Sequence, residues 1–128
     1  MKTKNQILGD LLQGVIDQAK YFLREHLEFY PVSVALNNKN KIQAIALYEG
    51  EDKPKTSEYL KRLEKFLETE YDSFGIGVNV QIQNADHDKP IDAIEIKLWY
   101  KGENYQSCFL PYQFNANGSI EYGELYSY

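Results

Sequence analysis

The sequence predicts an α+β domain, with two amphipathic helices packed on one antiparallel sheet of five to six strands in the order αββαββββ. Three observations predict it. Residues 74–82 are apolar at every even position, and at every odd position they are Gly or a polar amide. A strand sends alternate side chains to opposite faces, so this stretch reads as half-buried β-structure. Ile94, Ile96, Leu98 and Tyr100 repeat the alternation after a polar loop. Residues 4–28 instead space their apolar side chains by three and four, the stripe of a helix.

Composition sets the frame. The chain has 128 residues, 43% hydrophobic and 26% charged, the balance of one folded domain. Net charge is −5 and the lysines and arginines are scattered, so the basic stripe of a nucleic-acid binder is missing. A single cysteine, Cys108, allows no internal disulfide, and no apolar run approaches a membrane span. The N-terminal apolar residues are interrupted by Asp10, Gln13 and Asp17, unlike a signal peptide. These features predict a cytoplasmic protein with no membrane association.

The elements follow in order. The helix at 4–28 carries Ile7, Leu8, Leu11, Leu12, Val15, Ile16, Ala19, Phe22, Leu23 and Leu27 on one stripe and Asp10, Gln13, Asp17, Lys20 and Arg24 opposite. Thr3 is a candidate cap, and Pro31 disfavours helix at the residue before it. Strands at 31–36 and 42–48 flank an Asn-rich reversal, where asparagine tolerates left-handed backbone. Gly50 and Pro54 then break the chain. The second helix, 57–70, is capped by Thr56 or Ser57, with Tyr59, Leu60, Leu63, Phe66 and Leu67 on its stripe and a mixed-sign outer face including Glu64 and Glu68. Strands at 74–83, 91–100, 105–112 and 119–126 complete a meander. Asn117-Gly118 marks the last hairpin, with positive φ expected at both residues. The element order resembles profilin-like domains of the roadblock type.

Chemistry-bearing residues each have a plain structural reading. Asp86-His87-Asp88 with Asp92 is the densest set of ligand-type side chains, but adjacent loop residues rarely converge on one ion, and turns select Asp and Asn anyway. Gly75 and Gly77 lie inside a strand, so they read as a face left bare for a helix rather than a phosphate loop. Cys108 alternates with Leu110 and Tyr112 and reads as a small apolar side chain. His26 sits beside the first helix's stripe, as a boundary residue. Glu95, Glu103, Glu121 and Glu124 have no spacing that pairs them as acid and base. No catalytic residue, cofactor site or metal site is therefore expected. The most suggestive surface is the C-terminal one, Tyr122, Glu124, Tyr126 and Tyr128, with the three tyrosines expected on one strand face. Tyr-rich, partly polar faces are frequent at interfaces, and a last strand packed on a helix shows the same pattern.

Asp92 to Gly102, Phe109-Leu110-Pro111-Tyr112 and Glu121-Tyr122-Gly123-Glu124-Leu125, with Pro31 and Pro54, resemble a family of small bacterial cytoplasmic proteins with no assigned activity. The resemblance covers the chain from about Phe29 and implies a bacterial origin and a single domain, which the length and the lack of a linker extend over 1–128. It brings no catalytic residues with it.

The expected function is non-enzymatic protein binding, either of the immunity type against a basic partner or as a chaperone-like homodimer. The alternative is a small-molecule binder or enzyme with a pocket between the sheet and the first helix, holding Cys108 or His26. A pocket of several hundred Å³ with converging polar groups favours the alternative.

Overall fold

The computed structural model describes residues 2–27, 31–46, 56–83 and 90–127. Helix α1 spans Lys4–His26. Thr3 starts it with a reciprocal capping box: its hydroxyl accepts from the Gln6 N–H at 3.2 Å, and its own N–H donates to Gln6 Oε1 at 2.9 Å. The helix stops at Leu27, four residues before Pro31. Leu27 turns left-handed at φ 63° while its N–H still reaches Leu23 O at 3.0 Å. The stop is thus a left-handed cap rather than the proline.

The strands are β1 (Val32–Leu36), β2 (Ile42–Ile45), β3 (Ser73–Ile82), β4 (Ile91–Tyr100), β5 (Gln106–Phe114), β6 (Ile120–Tyr122) and β7 (Tyr126–Ser127), with helix α2 at Thr56–Glu70 before β3. They form one antiparallel sheet in the order β2-β1-β3-β4-β5-β6, and β7 also pairs with β5. This is the expected α+β class. The sheet has seven strands rather than five or six because the expected strand at 119–126 divides. Gly123 N–H donates to Pro111 O at 2.8 Å, but Pro111 has no N–H to return the bond, and the ladder breaks there. The far part of the strand expected at 42–48, the loop at 84–89 and Tyr128 lie outside the described residues.

The two helices cover opposite faces of the sheet. Leu11, Val15, Ala19 and Leu23 of α1 cluster with Val32, Val34, Ile94, Ile96 and Leu98. Tyr59, Leu63 and Leu67 of α2 cluster with Ala35, Phe74, Ile76 and Val78. Period-2 alternation makes this possible, since even residues of β3 face α2 and odd ones face α1.

Gly75 and Gly77 are the reason α1 seats closely. They pair with Val34 and Val32 on one side and with Leu98 and Ile96 on the other, forming a trough between branched side chains. A Cβ on Gly77 would stand 2.6 Å from Val15 Cγ1, and one on Gly75 would stand 3.0 Å from Val15 Cγ2. The bare-face reading of these glycines holds.

The turns differ from expectation in one respect. Only Gly118 of the Asn117-Gly118 pair has positive φ, at 88°. Gly118 N–H donates to Asn115 O at 3.0 Å, so the hairpin is a four-residue turn closed by a left-handed glycine. Asn37 to Asn40 repeats that geometry, with Asn40 at φ 59° in the left-handed place. Both central residues are left-handed instead at Lys101 (φ 47°) and Gly102 (φ 79°), between β4 and β5.

Candidate functional site

The C-terminal edge of the sheet is built by β5, β6 and β7. Tyr122 stands opposite Tyr112 on the α1 face, with Lys20 Nζ 4.5 Å from its ring centroid. Tyr126 stands opposite Phe109, its ring stacked at 5.6 Å, in a cluster with Ile82 and Ala93 on the other face. The expectation that these tyrosines share one face is therefore corrected. In unbroken register Tyr126 would meet Cys108, but it meets Phe109. A one-residue slip sends a side chain to the opposite face. Tyr128 lies outside the described residues, and Glu124 is exposed in the crossing between β6 and β7.

Two residues that the sequence reading missed belong to this edge. Phe114 is 41% exposed and Leu125 is 42% exposed, both large and apolar. Phe114 meets Tyr112 edge-on at 5.8 Å. Between residues 105 and 127 the chain carries Glu121 and Glu124 and no lysine or arginine. Glu121 accepts from Gln113 Nε2 at 2.6 Å. The edge is thus acidic and apolar, except on the α1 face, where Lys20 and Arg24 approach Tyr122.

The tyrosines behind this edge are held neutral. Tyr112 donates to Asn79 Oδ1 at 2.7 Å. Burial pushes its phenol up to about 12, with Asp92 adding to the rise. At the other end of β5, Tyr105 packs on Trp99 at 4.7 Å and donates to Glu68 at 3.3 Å. Burial and the carboxylates of Glu64 and Glu68 raise its pKa. Glu64 and Glu68 thus reach the sheet from α2, Glu64 meeting Lys97 of β4 at 3.4 Å, rather than lying on a purely solvated face.

The residues considered for catalysis are not drawn together. Cys108 is half-buried on the α1 face, and burial raises its thiol pKa, away from the thiolate a nucleophile needs. His26 is exposed and stacked on Phe22 at 6.0 Å. Glu103 pairs with Lys4 at 2.7 Å. Asp92 opens β4 between Gln81 and Tyr112, while residues 86–88 lie outside the described residues. Among the described residues no three His, Cys, Asp or Glu gather in a way that would hold a metal ion. No helix among them is long and apolar enough to cross a membrane.

A cleft of about 700 Å³ opens at the opposite end of the sheet. The β1–β2 turn, the end of α2, Ser73 at the start of β3, Lys101 and the N-terminal turn of α1 converge there. Its lining includes neither Cys108 nor His26, so it differs from the pocket expected under the first helix. Segments distant in sequence make it, which is why no local pattern announced it. The Asn-rich reversal between β1 and β2 was legible as a turn, but not as the wall of a cleft.

No protein-family model matches the chain, and no curated protein or solved structure matches it.

Proposed function

We propose that this protein is a non-enzymatic binding domain whose partner is another protein, held at the β5–β6–β7 edge. One observation carries the reading: an edge with two exposed apolar side chains, Phe114 and Leu125, whose own segment holds carboxylates and no cation. Apolar side chains on a segment whose own charges are all negative suit a partner that is apolar and basic, with Lys20 and Arg24 beside Tyr122 bounding the patch on the α1 face. That is the surface an immunity-type protein presents to a basic target, in a bacterial cytoplasm. A chaperone-like homodimer through the same edge is the self-associating form of the reading. The short strands β6 and β7 cover β5 at residues 112–114 and 108–109, and they are themselves the outermost strands on that side of the sheet, where a further strand could pair.

The test is affinity capture from the native cell's extract with wild type and with the doubly substituted Phe114→Ser/Leu125→Ser. Both residues are exposed, so the variant should melt within a few degrees of wild type. The expected result is a basic protein kept by wild type at low salt, released at high salt and absent from the variant. Equal capture by both proteins, or nothing bound to either, contradicts the proposal.

The cleft favours a second reading, binding of a small polar molecule, because a volume of about 700 Å³ lies within the usual range for ligand sites.

A further inference from the structure

We infer that the cleft at the Ser73 end of the sheet is a binding site for an uncharged, hydroxyl-rich ligand of the saccharide class. It lies at the far end of the sheet from the β5–β7 edge, so the inference stands or falls independently of the edge.

The first ground is Ser73. Ser73 lines the cleft and is 1% exposed, and its Oγ has no hydrogen-bond partner among the described residues. A buried polar group left unmatched costs free energy, and such groups in folded proteins call for a reason. Ser33, the other buried polar residue described, shows the usual solution: its Oγ donates to Ile45 O at 2.8 Å. Ser73 has the same burial without the bond, at the floor of a cleft.

The second ground is charge. Two lysines reach the cleft, and both are already engaged. Lys2 is bound to Asp10 at 2.9 Å, and Lys101 Nζ stands over the Tyr100 ring at 5.5 Å. Glu70 and Asp72 supply acceptors from the end of α2. By formal charge alone, Lys2 and Lys101 balance Glu70 and Asp72 in the lining. A neutral ligand loses least on entering such a site.

The third ground is the type of polar group and its support. A serine hydroxyl and the amide of Asn38 each both donate and accept, and so does every hydroxyl of a sugar. Phe66 and Tyr71 meet edge-on at 6.4 Å on the wall, an apolar surface for the C–H face of a ring. The opposite wall is pre-organised. Asn37 Oδ1 accepts from the Lys39 and Lys41 N–H groups at 2.9 and 3.1 Å, and its amide donates to Gln43 at 3.3 Å. That turn needs no ordering when a ligand arrives.

The experiment is an amide chemical-shift titration of the full chain with maltotriose, cellotriose and chitotriose, and with inorganic phosphate and ethanolamine as charged probes. The expected result is saturable shifts at Asn38, Asp72 and Ser73 with at least one saccharide, and none at Phe114 or Tyr126. Ser73→Ala is expected to weaken that binding several-fold without lowering the melting temperature, because it removes an unmatched hydroxyl. Asn38→Ala, at an exposed turn tip, is expected to weaken it with the fold intact. The inference is overturned if no saccharide moves these amides, if phosphate or ethanolamine moves them instead, or if both variants bind the saccharide as wild type does.

Discussion

Single residues in this protein matter through the protonation state and hydrogen bonds that burial imposes. Tyr112 is the clearest case, its phenol held up to about 12 against about 10 for a free phenol. Below about pH 10 the phenol is protonated in both folded and unfolded chains, and its contribution to stability is complete. As pH rises from about 10 to about 12, the unfolded chain loses the proton and the folded chain keeps it, so stability falls. Tyr112→Phe removes this linkage and also the bond to Asn79. Urea unfolding should find the variant less stable at neutral pH by about 0.5–1.5 kcal/mol. That deficit should shrink or vanish in strongly alkaline buffer. A deficit that stays constant with pH would contradict the assignment. The alternation of residues 108–112 placed Tyr112 on an inward face, but its partner Asn79 was not legible. That pairing depends on strand order, which sequence patterns leave open.

At the scale of elements, the pattern of β3 was almost fully readable, because period 2 is a strong constraint and the glycines sit on one side of it. The sequence implied a bare face; the structure adds that α1 fills it with Val15. Gly77→Ala should therefore destabilise by about 1–3 kcal/mol through overpacking, despite the small gain from a stiffer unfolded chain. Val15→Ala should cost about 2–4 kcal/mol alone. The double variant should be more stable than the sum of the two losses implies, since removing the valine branches clears the space the new methyl needs. Thermal melts of the four proteins check this, and strict additivity would show that the close contact does not govern α1's seat. The last strand was misread for a local reason. The apolar spacing of residues 119–126 suggested a continuous run, whereas the interruption originates in the neighbouring strand, at Pro111, which cannot complete its pair with Gly123. A break imposed by a neighbour is invisible in the broken segment itself. It also moved Tyr126 to the opposite face from Tyr122 and brought Phe114 and Leu125 to notice in their place.

Across the whole molecule, the placement of one helix on each face gives two apolar clusters with the sheet between them. The amphipathic stripes of both helices were legible, and so was the class. Which face each helix takes was not, because it follows from the crossing connections and not from either stripe. The arrangement leaves the sheet with two free features at opposite ends: the cleft beside Ser73 and the edge at β5–β7. The cleft is assembled from turns remote in sequence, so no local pattern outlined it. The edge carries the proposed function. The measurement that tests it most directly is the dissociation constant of the basic protein captured at low salt, determined across a salt series for wild type and for Leu125→Ser. Binding is expected to weaken steadily with salt and to be about tenfold weaker in the variant at every concentration. A dissociation constant that is indifferent to salt and unchanged by Leu125→Ser would contradict it.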